Sequence, residues 1–107
     1  MTDETAELIR QELQAALRRE HSSGCEVGLL TSEVQDGISV CRFGVDVQLG
    51  TIVVRNIISV CCPEKAQQNR DRLQQRIQGM VTSVAKRCLA EAARALQRHL
   101  REVAQYN

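Results

Sequence analysis

The feature that most constrains the fold is the segment 25–62, in which apolar and polar residues alternate and two turn signals occur. Such alternation indicates β-strands, because successive side chains point to opposite faces of a sheet. Asp36-Gly37 is a strong signal for a two-residue hairpin, since a type I′ turn needs positive φ at both central residues. Leu49-Gly50 is a weaker signal because leucine tolerates positive φ poorly. Together the turns predict three strands, at about 25–35, 38–48 and 51–61.

The two turns also predict how the strands pair. The first turn places Leu30 opposite Phe43, and the second places Val45 opposite Val54. One face of the sheet is then mostly apolar, and it consists of Leu30, Val34, Cys41, Phe43, Val45, Val47, Ile52, Val54, Ile58 and Val60. A one-residue slip would move every side chain to the other face, so this consistency favours the predicted register.

The opposite face of the predicted sheet mixes apolar and charged residues. Its apolar members are Val27, Leu29, Val40, Val53 and Ile57, and they alternate with residues such as Glu33, Arg42, Asp46 and Arg55. This face is too apolar for a plain solvated surface and too polar for a sealed core. We therefore predict that the five apolar residues form an oligomer interface.

Helical periodicity flanks the strands on both sides. An amphipathic helix is predicted at about 3–21, and a long one at about 63–106, which contains no proline after Pro63 and one glycine, Gly79. Unbroken, the second helix would be about 60 Å long, more than a three-stranded sheet can cover, so part of it must find another partner or fray. A start at residues 69–71 is the alternative, with 63–68 as a loop. The predicted fold is a single α+β domain of residues 1–107 with the order α-β-β-β-α.

The long C-terminal helix has two contrasting sides. At about 100° per residue, an apolar stripe contains Leu73, Ile77, Val81, Val84, Cys88, Ala92, Ala95, Leu96 and Val103. The opposite side carries a basic stripe of Lys65, Arg72, Arg76, Arg87, Arg94, Arg98 and Arg101. From Pro63 onward there are nine basic and four acidic residues, a net charge of +5, in a chain whose total is +1.

A helix stripe whose charges all have the same sign can be either an incidental solvated face or a binding surface. Solvated helix faces usually interleave both signs, and like-charged neighbours cost roughly 0.2–0.5 kcal/mol per pair. Phosphates or an acidic protein surface would compensate the arginines. The sequence leaves the incidental and the functional interpretations equally open.

Signatures of catalysis and of cofactor or metal binding are missing from the sequence. It contains no glycine-rich phosphate loop, HExxH, paired CxxC or GxSxG motif, and its histidines are His21 and His99. We therefore expect a non-enzymatic protein without cofactor or metal. Five cysteines without a regular spacing indicate reduced, mostly buried thiols in the cytoplasm. Cys62 is the exception, because a thiolate at a predicted helix N-terminus would be stabilised.

Two functional hypotheses follow. The first is an assembly module that acts as a homo-oligomer and binds a partner protein with an acidic surface through the basic stripe, without membrane contact. The second is non-specific DNA or RNA binding through the same arginines, and a regulator of a larger nucleic-acid machine would also use this surface.

The element order is similar to that of the YbaB-type nucleoid-associated proteins, which are dimeric DNA binders. This resemblance is one of topology and implies no residue roles.

Overall fold

A helix, three strands and a long second helix follow one another in residues 3–21 and 24–105, which are those that the computed structural model describes. The elements are α1 (Asp3–Glu20), β1 (Cys25–Gln35), β2 (Ile38–Leu49), β3 (Ile52–Pro63), a 3-10 helix (Glu64–Gln67) and α2 (Arg70–Gln105). This confirms the predicted single α+β domain with the order α-β-β-β-α. Tyr106, the predicted end of the last helix, lies outside the described residues.

The first hairpin forms at the predicted turn but contains a β-bulge. Asp36 and Gly37 have φ angles of 52° and 73°, as a type I′ turn requires. The register shifts between Leu29 and Thr31, so Leu29 lies opposite Phe43, and the predicted pairing of Leu30 with Phe43 is wrong. A bulge adds one extra residue to its strand, so the residues on the N-terminal side of the bulge point to the face opposite to the predicted one. Val27 therefore joins the core, where it is 5% exposed, instead of the opposite face.

The second hairpin turns one residue later than predicted. Leu49 pairs with Ile52, so the central residues are Gly50 and Thr51, and the φ angle of Gly50 is 64°. Positive φ at the first central residue is typical of a type II′ turn, which glycine favours and leucine does not. Val45 consequently pairs with Asn56, and the predicted pairing with Val54 is wrong. Because the shift is two residues, each β3 side chain keeps its predicted face.

Both helices pack on one face of the sheet, where the core lies. Its largest fully buried side chains include Phe43, Ile9, Leu13, Ile77 and Val81. Asn56 donates a hydrogen bond of 3.2 Å from Nδ2 to the carbonyl oxygen of Cys88, which ties α2 to β3. The sheet has the order β1-β2-β3 within the described residues, so β1 and β3 form its two edges.

The C-terminal helix begins at the alternative start. The backbone N–H of Arg72 donates to Asn69 Oδ1 over 3.3 Å, which satisfies one of the free N–H groups of the first turn. The predicted start at Pro63 is wrong, because Pro63 ends β3 with an extended ψ angle of 139°. α2 has 36 residues, and its buried side is Leu73, Ile77, Val81, Ala85, Cys88 and Ala92. Beyond Ala92 the helix emerges from the core, with Leu100 and Val103 55% and 45% exposed.

Candidate functional site

Six arginines form one basic side of α2, which we call the basic flank: Arg72, Arg76, Arg87, Arg94, Arg98 and Arg101. All six are exposed. At about 100° per residue they occupy an arc of about 80°, and at 1.5 Å per residue they extend over about 44 Å. Lys65, a predicted member of the basic stripe, is exposed but lies in the 3-10 helix before α2. The structure therefore provides a rigid row of guanidinium groups with a lysine near its start.

The basic flank is not neutralised by the chain itself. Within the described residues, the ion pairs join Arg10 to Glu7, Arg18 to Glu26 and Arg55 to Asp46, and none includes a member of the basic flank. α2 carries eight basic and three acidic residues, a net charge of +5, whereas the whole chain has +1. The remaining residues therefore have a net charge of −4. The molecule is strongly polarised although its total charge is almost zero.

One member of the basic flank, Arg87, borders the β3 edge of the sheet. Val84, Arg87, Cys88 and Glu91 line a shallow groove of about 230 Å³ together with residues 57–59 of β3. Nearer the start of α2, burial raises the pKa of the Cys62 thiol, and the positive charge of Arg76 partly opposes this effect. Arg87 thus lies beside β3, and the charge of Arg76 acts on a thiol of the same strand. The sequence could not show this, because helical periodicity does not say which strand a given side of the helix borders.

The face of the sheet opposite the helices is partly apolar, but two of the residues predicted to lie on it point to the other face. Val40, Val53 and Ile57 lie there, and Val53 and Ile57 are 60% and 66% exposed. The bulge places Val27 in the core and puts Leu29 on the face of Phe43, so the sequence-based assignment of these two residues is wrong.

Leu30 takes the place of these two residues on the face opposite the helices. A Cβ atom added to Gly44 would lie 3.6 Å from both Leu30 methyl groups, which shows that Leu30 covers this glycine. Sequence reasoning missed Leu30 as a surface residue. The adjacent leucines Leu29-Leu30, which break the strict alternation of β1, were the available signal for the bulge.

The thiols are divided by burial. Cys25, Cys41, Cys62 and Cys88 are buried, and burial raises the pKa of each. Cys61 is exposed on the face opposite the helices. The predicted special position of Cys62 is wrong, because α2 begins at Arg70 and Cys62 lies in β3. A thiol whose pKa is raised remains protonated near neutral pH and is a poor nucleophile.

The described residues contain neither a metal-binding cluster nor a helix able to span a membrane. Among the residues that the structure describes, no three His, Cys, Asp or Glu side chains are grouped so as to hold a metal ion. None of the described helices combines the length and the apolar character needed to cross a membrane. No protein-family model, curated protein or solved structure matches the chain.

Proposed function

We propose that this chain is a non-enzymatic interaction module that binds an acidic surface of a partner protein through the basic flank and Lys65. The observation that carries the proposal is the row of six exposed arginines without an ion-pair partner in the described part of the chain. A guanidinium group binds carboxylates with two parallel hydrogen bonds, which makes arginine well suited to protein interfaces. A partner's carboxylates would remove the repulsion between these like charges.

An acidic protein is favoured over nucleic acid by the charge of the rest of the molecule. The residues outside α2 have a net charge of −4, which would repel a polyanion as long as a DNA duplex. The sequence pI of about 7.7 is also below the values above 9 that are typical of nucleic-acid-binding domains. A partner protein with a local acidic patch can contact the basic flank without approaching the acidic remainder.

Duplex DNA is the second candidate, because the basic flank is straight and long. At about 3.4 Å per base pair, its length of about 44 Å corresponds to about 13 base pairs. Contacts of this kind would involve phosphates and would not depend on base sequence.

The test compares two probes and two charge-reversal variants. Binding of a fluorescein-labelled peptide of about six glutamates and of a 20-base-pair duplex is measured by fluorescence anisotropy at low salt. We expect the short acidic peptide to bind more tightly than the duplex, and simultaneous substitution of Arg87, Arg94 and Arg98 by Glu to weaken binding about tenfold, since three exposed ion pairs at about 0.5 kcal/mol each amount to about 1.5 kcal/mol.

The matched control reverses three exposed cations outside the basic flank, Arg19, Arg42 and Lys86, with the same change in net charge. We expect the binding affinity of this control variant to fall less than threefold. Equal losses in the two variants would show that only total charge matters and would contradict the proposal. Tighter binding of the duplex, lost in the flank variant, would support the DNA alternative instead.

We further propose that the module forms homo-oligomers through the exposed apolar side chains of the face opposite the helices. The exposure of Val53 and Ile57, with Leu30 and Val40 on the same face, supports this. Sedimentation velocity at micromolar concentration should show a dimer or larger species that Val53→Glu dissociates. A monomer at these concentrations would contradict this part of the proposal.

A further inference from the structure

We propose that the acidic partner binds as an extended segment that adds a fourth strand to the free edge of β3, with apolar and acidic side chains in alternation. This inference rests on the proposed function, because it specifies the chemistry of the partner that the basic flank binds. Strand addition is a common mode of peptide recognition, in which backbone hydrogen bonds provide affinity and alternate side chains provide specificity.

The register identifies the backbone groups that β3 offers at this edge. Glu64 N–H donates to the carbonyl oxygen of Gly37 over 3.0 Å, in line with the pairing of Ile38 with Pro63. Hydrogen-bonded and non-hydrogen-bonded pairs alternate along antiparallel strands, so the even-numbered residues of β3 bond to β2. The residues whose N–H and C=O groups point away from β2 are therefore Val53, Arg55, Ile57, Ser59 and Cys61.

The two edges of the sheet differ in how they are protected. At the β1 edge, Gln14 accepts a hydrogen bond of 2.8 Å from Val27 N–H and donates one to the carbonyl oxygen of Cys25, and the bulge interrupts the strand. β3 pairs with β2 from Ile52 to Pro63 without a register shift, and in the described residues no strand covers its other side. Long, regular and uncovered edges are those to which further strands add, so β3 is the accessible edge.

The surroundings of β3 specify the side chains of an added strand. Side chains on the face opposite the helices would lie beside Val53 and Ile57, which are 60% and 66% exposed, so they should be apolar. Side chains on the helix face would lie beside the groove that Val84, Arg87 and Glu91 line, on a helix whose net charge is +5. Because successive side chains alternate between the two faces, the segment should alternate apolar and acidic residues.

Charge also argues against a second copy of this chain at the same edge. Pairing of two β3 strands about a two-fold axis would bring α2 of each copy to the shared seam, because α2 packs beside β3 and Arg87 lines the groove between them. Two helices, each with a net charge of +5, would then lie next to one another across this seam. An acidic segment instead places opposite charges there, and we therefore choose it as the occupant.

The binding experiment uses a fluorescein-labelled peptide of twelve residues that alternates Val and Glu, with a Val/Lys peptide as its control. Ser59→Pro removes an N–H that points away from β2, a position at which edge strands tolerate proline. We expect Ser59→Pro to weaken binding of the Val/Glu peptide at least tenfold, and Ser59→Ala, which keeps the N–H, to change it less than twofold. Arg87→Glu should weaken binding at least fivefold, and Lys86→Glu, the same charge change on another side of α2, less than twofold.

Amide hydrogen exchange of the wild-type protein tests the geometry even if Ser59→Pro destabilises the fold. Bound peptide should slow exchange at Val53, Ile57 and Ser59 at least tenfold, while amides already bonded to β2 change little. Failure of the Val/Glu peptide to bind, or equal binding of the Val/Lys peptide, would overturn the inference. If Arg87→Glu weakens binding but these amides are not protected, the strand-addition geometry is wrong and the proposed function stands. If Arg87→Glu binds the Val/Glu peptide like the wild type, the inference is wrong, and the proposed function is decided by the triple variant of Arg87, Arg94 and Arg98.

Discussion

Replacing Val27 and Val53 by alanine in separate variants tests the bulge that moves one of them into the core. Val27 is 5% exposed and Val53 is 60% exposed, although the uninterrupted register assigns both to the same face. The substitution removes two methyl groups, which at about 0.8 kcal/mol each is about 1.6 kcal/mol of burial for Val27. A residual cavity of about 40 Å³ at about 24 cal/mol per Å³ adds about 1 kcal/mol. Val53 is 60% exposed, so the same calculation gives a loss of about 0.6 kcal/mol in the free energy of unfolding and adds nothing for a cavity.

The assay is urea denaturation followed by circular dichroism, together with thermal melting, at a concentration where the midpoint does not depend on protein concentration. An unfolding entropy of about 2.1 cal/mol/K per residue is about 225 cal/mol/K for 107 residues. The expected decrease in Tm is therefore about 11 °C for Val27→Ala and about 3 °C for Val53→Ala. Losses of free energy within about 0.5 kcal/mol of each other, or a larger loss for Val53→Ala, would refute the bulged register.

Three further perturbations test other contacts. Gln14→Leu should lower the free energy of unfolding by about 2 kcal/mol, because Val27 N–H and Cys25 C=O lose their side-chain partner, and urea denaturation would measure the loss. Gly50→Ala should lower Tm by about 4–8 °C, because a φ angle of 64° costs about 1–2 kcal/mol for a residue with a Cβ; an unchanged Tm would contradict the turn assignment. The four buried thiols should make stability fall as pH rises above their ordinary pKa of about 8.5, because the unfolded chain releases protons that the folded chain retains. Cys88→Ala should reduce this alkaline loss, measured by denaturation between pH 7 and 10.

The candidate surface could be recognised in part before the structure was known. Helical periodicity groups six of the seven arginines of α2 on one side, because the rotation per residue is fixed by backbone geometry. Its placement of Lys65 on the long helix is wrong, since the periodicity was extended through residues 64–69, which precede α2 and include a 3-10 helix. The acceptor for the N–H of Arg72 is the side chain of Asn69, and this local contact decides where the helix begins.

The shallow groove between α2 and the edge of β3 depends on contacts between residues far apart in the sequence. It requires Val84 and Arg87 to lie beside residues 57–59, and Asn56 to bond to the carbonyl oxygen of Cys88. No local pattern encodes the direction from which a helix approaches a sheet. The placement follows from packing the apolar stripe of α2 against β3 and α1 at the same time.

The sequence by itself determined the element order and most strand faces, because the alternation of side chains and the Asp36-Gly37 turn are local properties of the backbone. The late turn at Gly50-Thr51 left the faces of β3 unchanged, since a shift of two residues preserves the alternation. Packing of the core fixed the bulge at Leu30, which lets Cys25 and Val27 enter the core and costs one interrupted pairing. Tertiary structure also decided that Arg87 of the basic flank borders the β3 edge, which no described strand covers, because that depends on how the whole core is packed and not on any one segment.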